Sequence, residues 1–197
     1  FLFRVLWPAI AGRLSDALRT EFWEKLDGRL GPRCMLVSGP AHLTRLPGET
    51  AFRAGGPRFI FSSGGPLARA DAKRCEAWLG QLPVEVFGST ETGGIAWRQQ
   101  HADNAPWTPL PGVNIGVDAA GLLSVQSSWT GADGPVIVGD RVRLDACGRF
   151  RSLGRADAAG RLPAGGLGAL LPARHRDGDP IALRVVPAAE WDEFDAA

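Results

Sequence analysis

Hydrophobic residues recur at every fourth position near the start of the chain. The residues with this spacing, which are separated by charged and polar positions, are Leu14, Leu18, Phe22 and Leu26. Positions four apart lie on one face of a helix, so the pattern predicts an amphipathic helix over residues 9–30.

Short apolar runs that end at turn residues come next. Three of them are typical of strands and cover residues 33–37, 58–61 and 84–87, while residues 68–79 return to helical spacing. A strand, a helix and a strand in succession predict a parallel α/β sheet. Such sheets bind ligands beyond the carboxyl ends of their strands, so the Gly- and Ser-rich loops that follow these runs become candidate sites.

From about Trp107 the chain changes to short β-type runs separated by Gly, Asp and Pro. These runs cover residues 113–117, 122–125, 136–138 and 142–144. The predicted fold class is α/β, with a parallel-sheet αβ segment followed by a small β-rich subdomain. We predict three parts: an α/β subdomain over 1–106, a β-rich subdomain over 107–157, and a tail over 158–197 with no recognised domain.

The composition fits a globular domain and argues against two kinds of partner. Of the 197 residues, 45% are hydrophobic and 22% are charged, and the formal net charge is +1. Acidic and basic residues are mixed along the chain, so the sequence predicts no binding to nucleic acid or to a membrane surface. The apolar opening, Phe1–Trp7, contains Arg4 and is far shorter than the ~20 residues of a membrane span.

The cysteines predict a reducing compartment. Cys34, Cys75 and Cys147 have neither the spacing of a zinc site nor the density of a disulfide framework. A cytoplasmic location and a role in buried packing are the simplest expectations for them.

The segment Val86–Gly94 carries the strongest chemical signal. It delivers Ser89, Thr90 and Glu91 from a predicted strand into a glycine-rich turn. Backbone N–H groups and hydroxyls can donate to phosphate oxygens there, and a carboxylate can hold a Mg²⁺ ion that bridges them. Turns also favour Ser, Thr and Gly for local reasons, so composition alone leaves an ordinary loop open.

The order Gly88-Ser89-Thr90-Glu91-Thr92-Gly93-Gly94 resembles the signature loop of the adenylate-forming superfamily. This superfamily includes acyl-CoA synthetases and other AMP-dependent carboxylic-acid ligases. The resemblance implies that Thr90 contacts the α-phosphate of ATP or of an acyl-adenylate and that Glu91 is the Mg²⁺ ligand. It also implies that Phe87, Gly88 and Ser89 belong to the nucleotide site.

A second motif, Ser63-Gly64-Gly65-Pro66, resembles the family loop that lies against the adenine ring. Glycine there would let the backbone approach a flat base closely. A plain strand-to-helix turn, with Pro66 at the start of the helix, is the alternative.

Two further motifs follow in the family's order. Asp140, within Val138–Val142, resembles the aspartate that accepts hydrogen bonds from the ribose hydroxyls, although spacing alone favours a turn between strands. Asp145–Asp157 is similar to the family's hinge motif. That resemblance implies that Arg155 contacts ribose or phosphate and that Asp157 is the pivot for a mobile domain.

The same resemblance implies a reaction for an intact relative. A carboxylic acid is activated by ATP as an acyl-adenylate, which a thiol then captures. The thiol is coenzyme A or the pantetheine of an acyl carrier protein. An aryl or fatty acid is expected because the residues beside the signature loop are apolar or small, namely Phe87, Gly93, Gly94, Ile95 and Ala96.

Two elements of the family lie outside this sequence: the upstream lysine-bearing phosphate loop and the C-terminal domain with the catalytic lysine. The lysines of the chain are Lys25 and Lys73. We therefore expect a partial AMP-dependent acid ligase that binds ATP or acyl-adenylate and is inactive by itself. A non-catalytic nucleotide-binding or structural remnant of such an enzyme is the alternative.

Overall fold

A computed structural model describes residues 2–16, 20–26, 28–47, 55–131, 134–156, 170–174 and 180–184. The chain divides into two compact units, Phe1–Gly154 and Arg155–Ala197. The larger unit contains two sheets with one core beside each, and the candidate site residues up to Asp140 lie in it.

The N-terminal region differs from the predicted helix over 9–30. A π-helix covers Leu2–Leu6, helix α1 covers Trp7–Ile10, and a 3-10 helix covers Trp23–Leu26. Helix α1 ends because Gly12 has φ +61°, a left-handed conformation typical of helix termini.

The predicted apolar face is also absent among the described residues of this region. Leu14 is fully exposed and Phe22 is largely exposed, whereas Leu26 is buried. Leu18 lies outside the described residues. Spacing by four predicts a helix only where a surface is present to cover the apolar face, and Leu14 contacts none.

The first sheet has five strands in sequence order. Strands β1 (Met35–Ser38), β2 (Phe59–Ser63) and β3 (Val84–Ser89) are parallel, which confirms the predicted parallel sheet. Strands β4 (Gly93–Arg98) and β5 (Thr108–Pro109) continue it antiparallel, so the sheet is mixed. Helix α2 (Pro40–Leu43) follows β1, and helix α3 (Arg69–Leu79) connects β2 to β3.

Helix α3 confirms the helical spacing predicted for residues 68–79. Its buried residues, Ala72, Cys75 and Leu79, are three or four apart and therefore share one face. Gly80 ends the helix with φ +74°. Burial and the nearby Asp71 raise the pKa of the Cys75 thiol to about 11, so this cysteine is a packing residue as predicted. Cys147, in contrast, is exposed.

Helix α3 and strands β1 and β2 enclose the first core. Its larger members are Trp23, Leu36, Leu43, Ile60, Leu67, Leu79 and Leu82.

The second sheet is antiparallel and has four strands in sequence order. They are β6 (Asn114–Val117), β7 (Leu122–Gln126), β8 (Val136–Leu144) and β9 (Phe150–Arg155). The runs predicted as separate strands over 136–138 and 142–144 form one strand, β8, because the residues between them continue the extended chain.

The second core joins this sheet to β4. Its buried members are Ile95, Ala96, Trp107, Leu123, Val125, Val138, Val142 and Phe150. Trp107 pairs with Phe150 through two backbone hydrogen bonds of 2.7 and 3.0 Å, so the segment before β5 is fixed to the start of β9.

The smaller unit contains two described strands, β10 (Leu170–Arg174) and β11 (Pro180–Arg184), which pair antiparallel. In the described part of the chain, no helix is long and apolar enough to cross a membrane. The division at 106 and 157 stays a prediction.

Replacing Phe150 by Ala should destabilise the larger unit by about 3–5 kcal/mol, because a fully buried ring in the second core is lost. Urea unfolding followed by tryptophan fluorescence measures the change. Leu153→Ala is the control, since Leu153 lies on the same strand and is 58% exposed. Equal effects of the two substitutions would contradict the described core.

Candidate functional site

The carboxyl ends of β1, β2 and β3 meet at one edge of the first sheet. Ser38 is paired with Ser62, and Ser63 is paired with Val86, so the three parallel strands run in step to this edge. The turn predicted to contact the adenine base (the base turn, Ser63–Pro66) follows β2. The turn predicted to contact phosphate (the phosphate turn, residues 90–92) follows β3. Both loops therefore start from adjacent strands.

The turn Ser63–Pro66 is exposed, although the chain on either side of it is buried. All four of its residues are exposed, whereas Ser62 and Leu67 on either side are buried. Gly64 has φ +89°, a backbone conformation that residues other than glycine rarely adopt. The turn thus presents backbone, rather than bulky side chains, at the edge of the sheet.

The loop that follows β1 lies beside this turn. A Cβ atom added to Gly39 would be 3.3 Å from the carbonyl oxygen of Ser63, and one added to Gly65 would be 3.8 Å from Cγ of Pro40. The first two loops at this edge are therefore packed side by side.

The signature segment forms a hairpin between β3 and β4. Ser89 pairs with Gly93, which leaves Thr90, Glu91 and Thr92 as the turn. Thr92 is fully buried, its N–H donates to Ser89 Oγ at 3.2 Å, and the two side-chain oxygens are 2.9 Å apart. Ser89 and Thr92 therefore shape the turn internally, while Thr90 and Glu91 are exposed at its tip.

Gly88 is required by the close approach of the two strands of this hairpin. A Cβ atom at Gly88 would overlap the carbonyl oxygen of Gly93 and lie 3.1 Å from Cα of Gly94. The strand register shifts between Phe87 and Gly88, so the chain bends as it enters the turn.

The ring of Phe87 contacts the second core. It lies 5.4 Å from the ring of Trp107 and 5.8 Å, edge-on, from that of Phe150. Its partial burial therefore has a packing explanation in addition to any ligand contact.

Ile95 and Ala96 are not available to line an acid pocket. Both are fully buried in the second core. Gly93 and Gly94 are exposed beside the turn, and a Cβ atom at Gly93 would meet Cγ of Trp129 at 3.9 Å. Trp129 is 79% exposed and is an apolar surface next to the signature turn that sequence reasoning missed.

Asp140 lies within strand β8. The expectation from spacing alone, that it is a turn residue between two strands, is therefore wrong. Between the pairs Leu122–Arg141 and Ser124–Ile137, β8 advances by four residues while β7 advances by two. The extra residues of this irregularity include Asp140. Such irregularities re-aim side chains, and Asp140 is partly exposed here while Val138 is buried in the second core.

The hinge motif begins with a residue that shapes a turn. Asp145 Oδ1 accepts from the N–H groups of Cys147 and Arg149, each at 3.0 Å, and Oδ2 accepts from Arg149 Nε at 2.9 Å. These hydrogen bonds, led by that from the Arg149 backbone, lower the pKa of Asp145. Arg155 is an exposed residue at the end of β9, and Asp157 lies outside the described residues.

A buried polar network that sequence reasoning missed adjoins the turn Ser63–Pro66 through Leu67. The side chain of Glu85 on β3 is 3% exposed and receives two hydrogen bonds from Arg98, at 2.9 and 3.1 Å. Gln100 Nε2 donates to Glu85 at 2.7 Å and to the carbonyl oxygen of Leu67 at 2.8 Å. A glutamate inside an apolar strand was the available signal, since buried carboxylates are rare without partners.

Arg98 also contacts an aromatic ring. Its guanidinium carbon lies 4.3 Å from the centre of the Trp107 ring. Arg98 therefore connects the network at Glu85 to the second core.

The described residues contain no cluster of three or more His, Cys, Asp or Glu side chains that could hold a metal ion. A protein-only metal cage is therefore not formed by these residues. Magnesium is commonly held by one or two carboxylates together with substrate phosphates, and the exposed carboxylate of Glu91 fits that arrangement.

No family model matches the chain, but it is similar to known proteins in sequence and in fold. The chain is similar to a 4-coumarate–CoA ligase from Cereibacter sphaeroides, with 30% identity over 123 residues that cover 62% of the chain and 27% of the relative. It is also similar to a benzoate CoA ligase from Burkholderia xenovorans, with a TM-score of 0.60 and 19% identity over 76% of this chain and 37% of that one.

A third similarity is to ATP-bound MatB from Rhodopseudomonas palustris. The TM-score is 0.52 at 23% identity, and the match covers 66% of this chain and 32% of that one. At these identities the two solved structures bear on the fold, which is that of CoA ligases.

The chain is therefore similar in sequence to a CoA ligase, and its fold is similar to that of two further CoA ligases. The chain spans between 27% and 37% of the lengths of these three relatives, so it corresponds to part of each.

Replacing Gly88 by Ala should destabilise the β3–β4 hairpin by about 1–3 kcal/mol, because the added methyl group would force the two strands apart. Thermal unfolding measures the loss. Gly116→Ala in β6 is the matched control, since its added Cβ would meet Ser124 Cβ at an ordinary 3.8 Å. An unchanged stability of the Gly88 variant would contradict the close approach.

Proposed function

We propose that this chain is the nucleotide-binding part of an AMP-dependent carboxylic-acid ligase of the acyl-CoA synthetase type. The observation that carries the proposal is the parallel pairing of β2 with β3, from whose ends the two glycine-rich turns leave the same edge of the sheet. One turn would contact the adenine base and the other would contact the α-phosphate.

The base would lie against the turn Ser63–Pro66. This turn is exposed and carries two glycines, so a flat ring could approach its backbone closely. Phe87 in β3 would contribute ring surface from the neighbouring strand in addition to its contacts with the second core.

The phosphate would lie at the tip of the hairpin. Thr90 is exposed there, and the backbone N–H groups near Gly88 and Ser89 would add donors. Thr92 is committed to Ser89, so the hydroxyl free to serve a ligand is assigned to Thr90. When bound, Mg²⁺ would supply charge neutralisation for the phosphate, with Glu91 as its ligand from this chain.

Asp140 and Arg155 would hold the sugar. A carboxylate offers two acceptor oxygens to the two ribose hydroxyls, and a guanidinium donates to ribose or phosphate oxygens. Both roles follow from the family motifs in which these residues stand.

In a complete enzyme, these residues would serve the attack of a carboxylate on the α-phosphate of ATP, with pyrophosphate leaving. Holding the phosphate and the sugar in one orientation lowers the entropic part of the barrier. Coenzyme A or the pantetheine of an acyl carrier protein would then accept the acyl group. We propose an aryl or fatty acid as substrate, and the 4-coumarate–CoA ligase among the relatives supports the aryl acid.

A non-catalytic nucleotide-binding or structural remnant is the second candidate. The internal bonding of the signature turn is compatible with it, because Ser89 and Thr92 hold the turn in shape without a ligand. Direct binding experiments separate a nucleotide-binding chain from a purely structural remnant.

The 197-residue chain should bind AMP in isothermal titration, and Asp140→Ala should weaken this binding about 10- to 100-fold. The reason is that hydrogen bonds to a charged group contribute about 1.5–3 kcal/mol. Asp103→Ala is the control, since Asp103 is exposed and lies outside the motifs. Absence of AMP binding by the unchanged chain would favour the structural remnant.

Glu91→Gln should remove the dependence of ATP affinity on magnesium. We expect Mg²⁺ to strengthen ATP binding by the unchanged chain and to have less than about a twofold effect on the variant, because Glu91 is the carboxylate that this chain is proposed to supply to the metal. Titrations with MgCl₂ and with EDTA measure this. An equal effect of Mg²⁺ on both proteins would exclude Glu91 as the metal ligand.

A further inference from the structure

Both ends of the predicted base turn, Ser63–Pro66, are attached to strand β3, one by strand pairing and the other by the network at Glu85. At one end, Ser63 pairs with Val86 of β3. At the other end, Leu67 N–H donates to Glu85 Oε2 at 3.4 Å, and Leu67 O accepts from Gln100 at 2.8 Å. The turn between them is therefore fixed to β3 twice.

Every acceptor position of Glu85 is used in this arrangement. Oε1 accepts from Gln100 at 2.7 Å and from Arg98 at 2.9 Å, and Oε2 accepts from Arg98 and from Leu67. Glu85 is 2% exposed and Gln100 is 6% exposed. A buried polar network in which each group is satisfied is rigid and specifies one geometry.

Strand β3 leads directly from this network to the phosphate turn. Glu85 is two residues before Phe87, and the hairpin turn begins at Thr90. The same strand therefore sets the position of the base turn through Glu85 and the position of the phosphate turn through its own end.

We propose that Glu85 is a positioning residue for the nucleotide. It fixes Leu67 directly and through Gln100, and thereby holds the turn Ser63–Pro66 at the distance from Thr90 that one AMP molecule requires. Glu85 does not touch the ligand. The inference rests on the proposed function for its ligand, and on the hydrogen bonds of Leu67 for its mechanism.

Two substitutions release the same attachment in different ways. Glu85→Gln keeps the size of the side chain and removes its charge, so Arg98 loses its anionic partner. Gln100→Met removes the amide that joins Glu85 to Leu67 O and leaves the ion pair with Arg98 in place. The second variant is the milder one and serves if the first fails to fold.

Val125→Ala is the matched control. Val125 is fully buried in the second core and does not contact Leu67 or Glu85 through any described hydrogen bond. It should lower the melting temperature without moving the base turn. All variants are compared at a temperature at which each is folded.

We expect Glu85→Gln to weaken AMP binding about 10-fold and Gln100→Met about threefold, with less than a twofold effect of Val125→Ala, where tenfold corresponds to about 1.4 kcal/mol. The double variant should bind AMP more tightly than the product of the single effects predicts, because both substitutions release one attachment. A purely structural role would change melting temperatures in all three variants and leave the AMP affinity unchanged, which would overturn the proposal.

Amide hydrogen exchange tests the mechanism independently of any nucleotide. Exchange of the Leu67 amide, which donates to Glu85, should become at least about tenfold faster in Glu85→Gln and Gln100→Met than in Val125→Ala. If the unchanged chain does not bind AMP, the proposed function fails, and faster exchange in these variants still supports the attachment of the turn. Unchanged exchange in both variants overturns it.

Discussion

The parallel pairing of β2 with β3 is the constraint on which the candidate site depends. Parallel strands require a long connection, and α3 provides it by packing Ala72, Cys75 and Leu79 into the first core. With both strands running in the same direction, their following turns must leave from one edge. The two glycine-rich turns therefore lie at the same edge because their strands are neighbours, and no direct contact between the turns is needed.

Much of this arrangement could be predicted from the sequence because it depends on local patterns. The apolar runs of β1, β2 and β3 are bounded by turn residues, and α3 has a clear buried face ending at Gly80. The motif order located the two turns and Asp140. The family resemblance supplied their ligand roles, which stay predictions.

The rest depends on contacts between residues distant in the chain. The pairing of Glu85 with Arg98 and Gln100 spans 13 and 15 positions, and no local pattern specifies it. Asp140 looked like a turn residue because a strand irregularity and a turn favour similar residues. The spacing of Leu14 and Phe22 predicted a helix, yet both are exposed, since periodicity does not reveal whether a covering surface exists.

Arg98 has a consequence for how the larger unit comes apart. Its guanidinium is bonded to Glu85, which is tied to Leu67 of the first core, and it also lies over Trp107 of the second core. Unfolding of either core would leave the charge of Arg98 in an apolar environment without one of its partners. The two cores are thereby coupled energetically, so denaturation should proceed as a single cooperative transition rather than as independent melting of two halves.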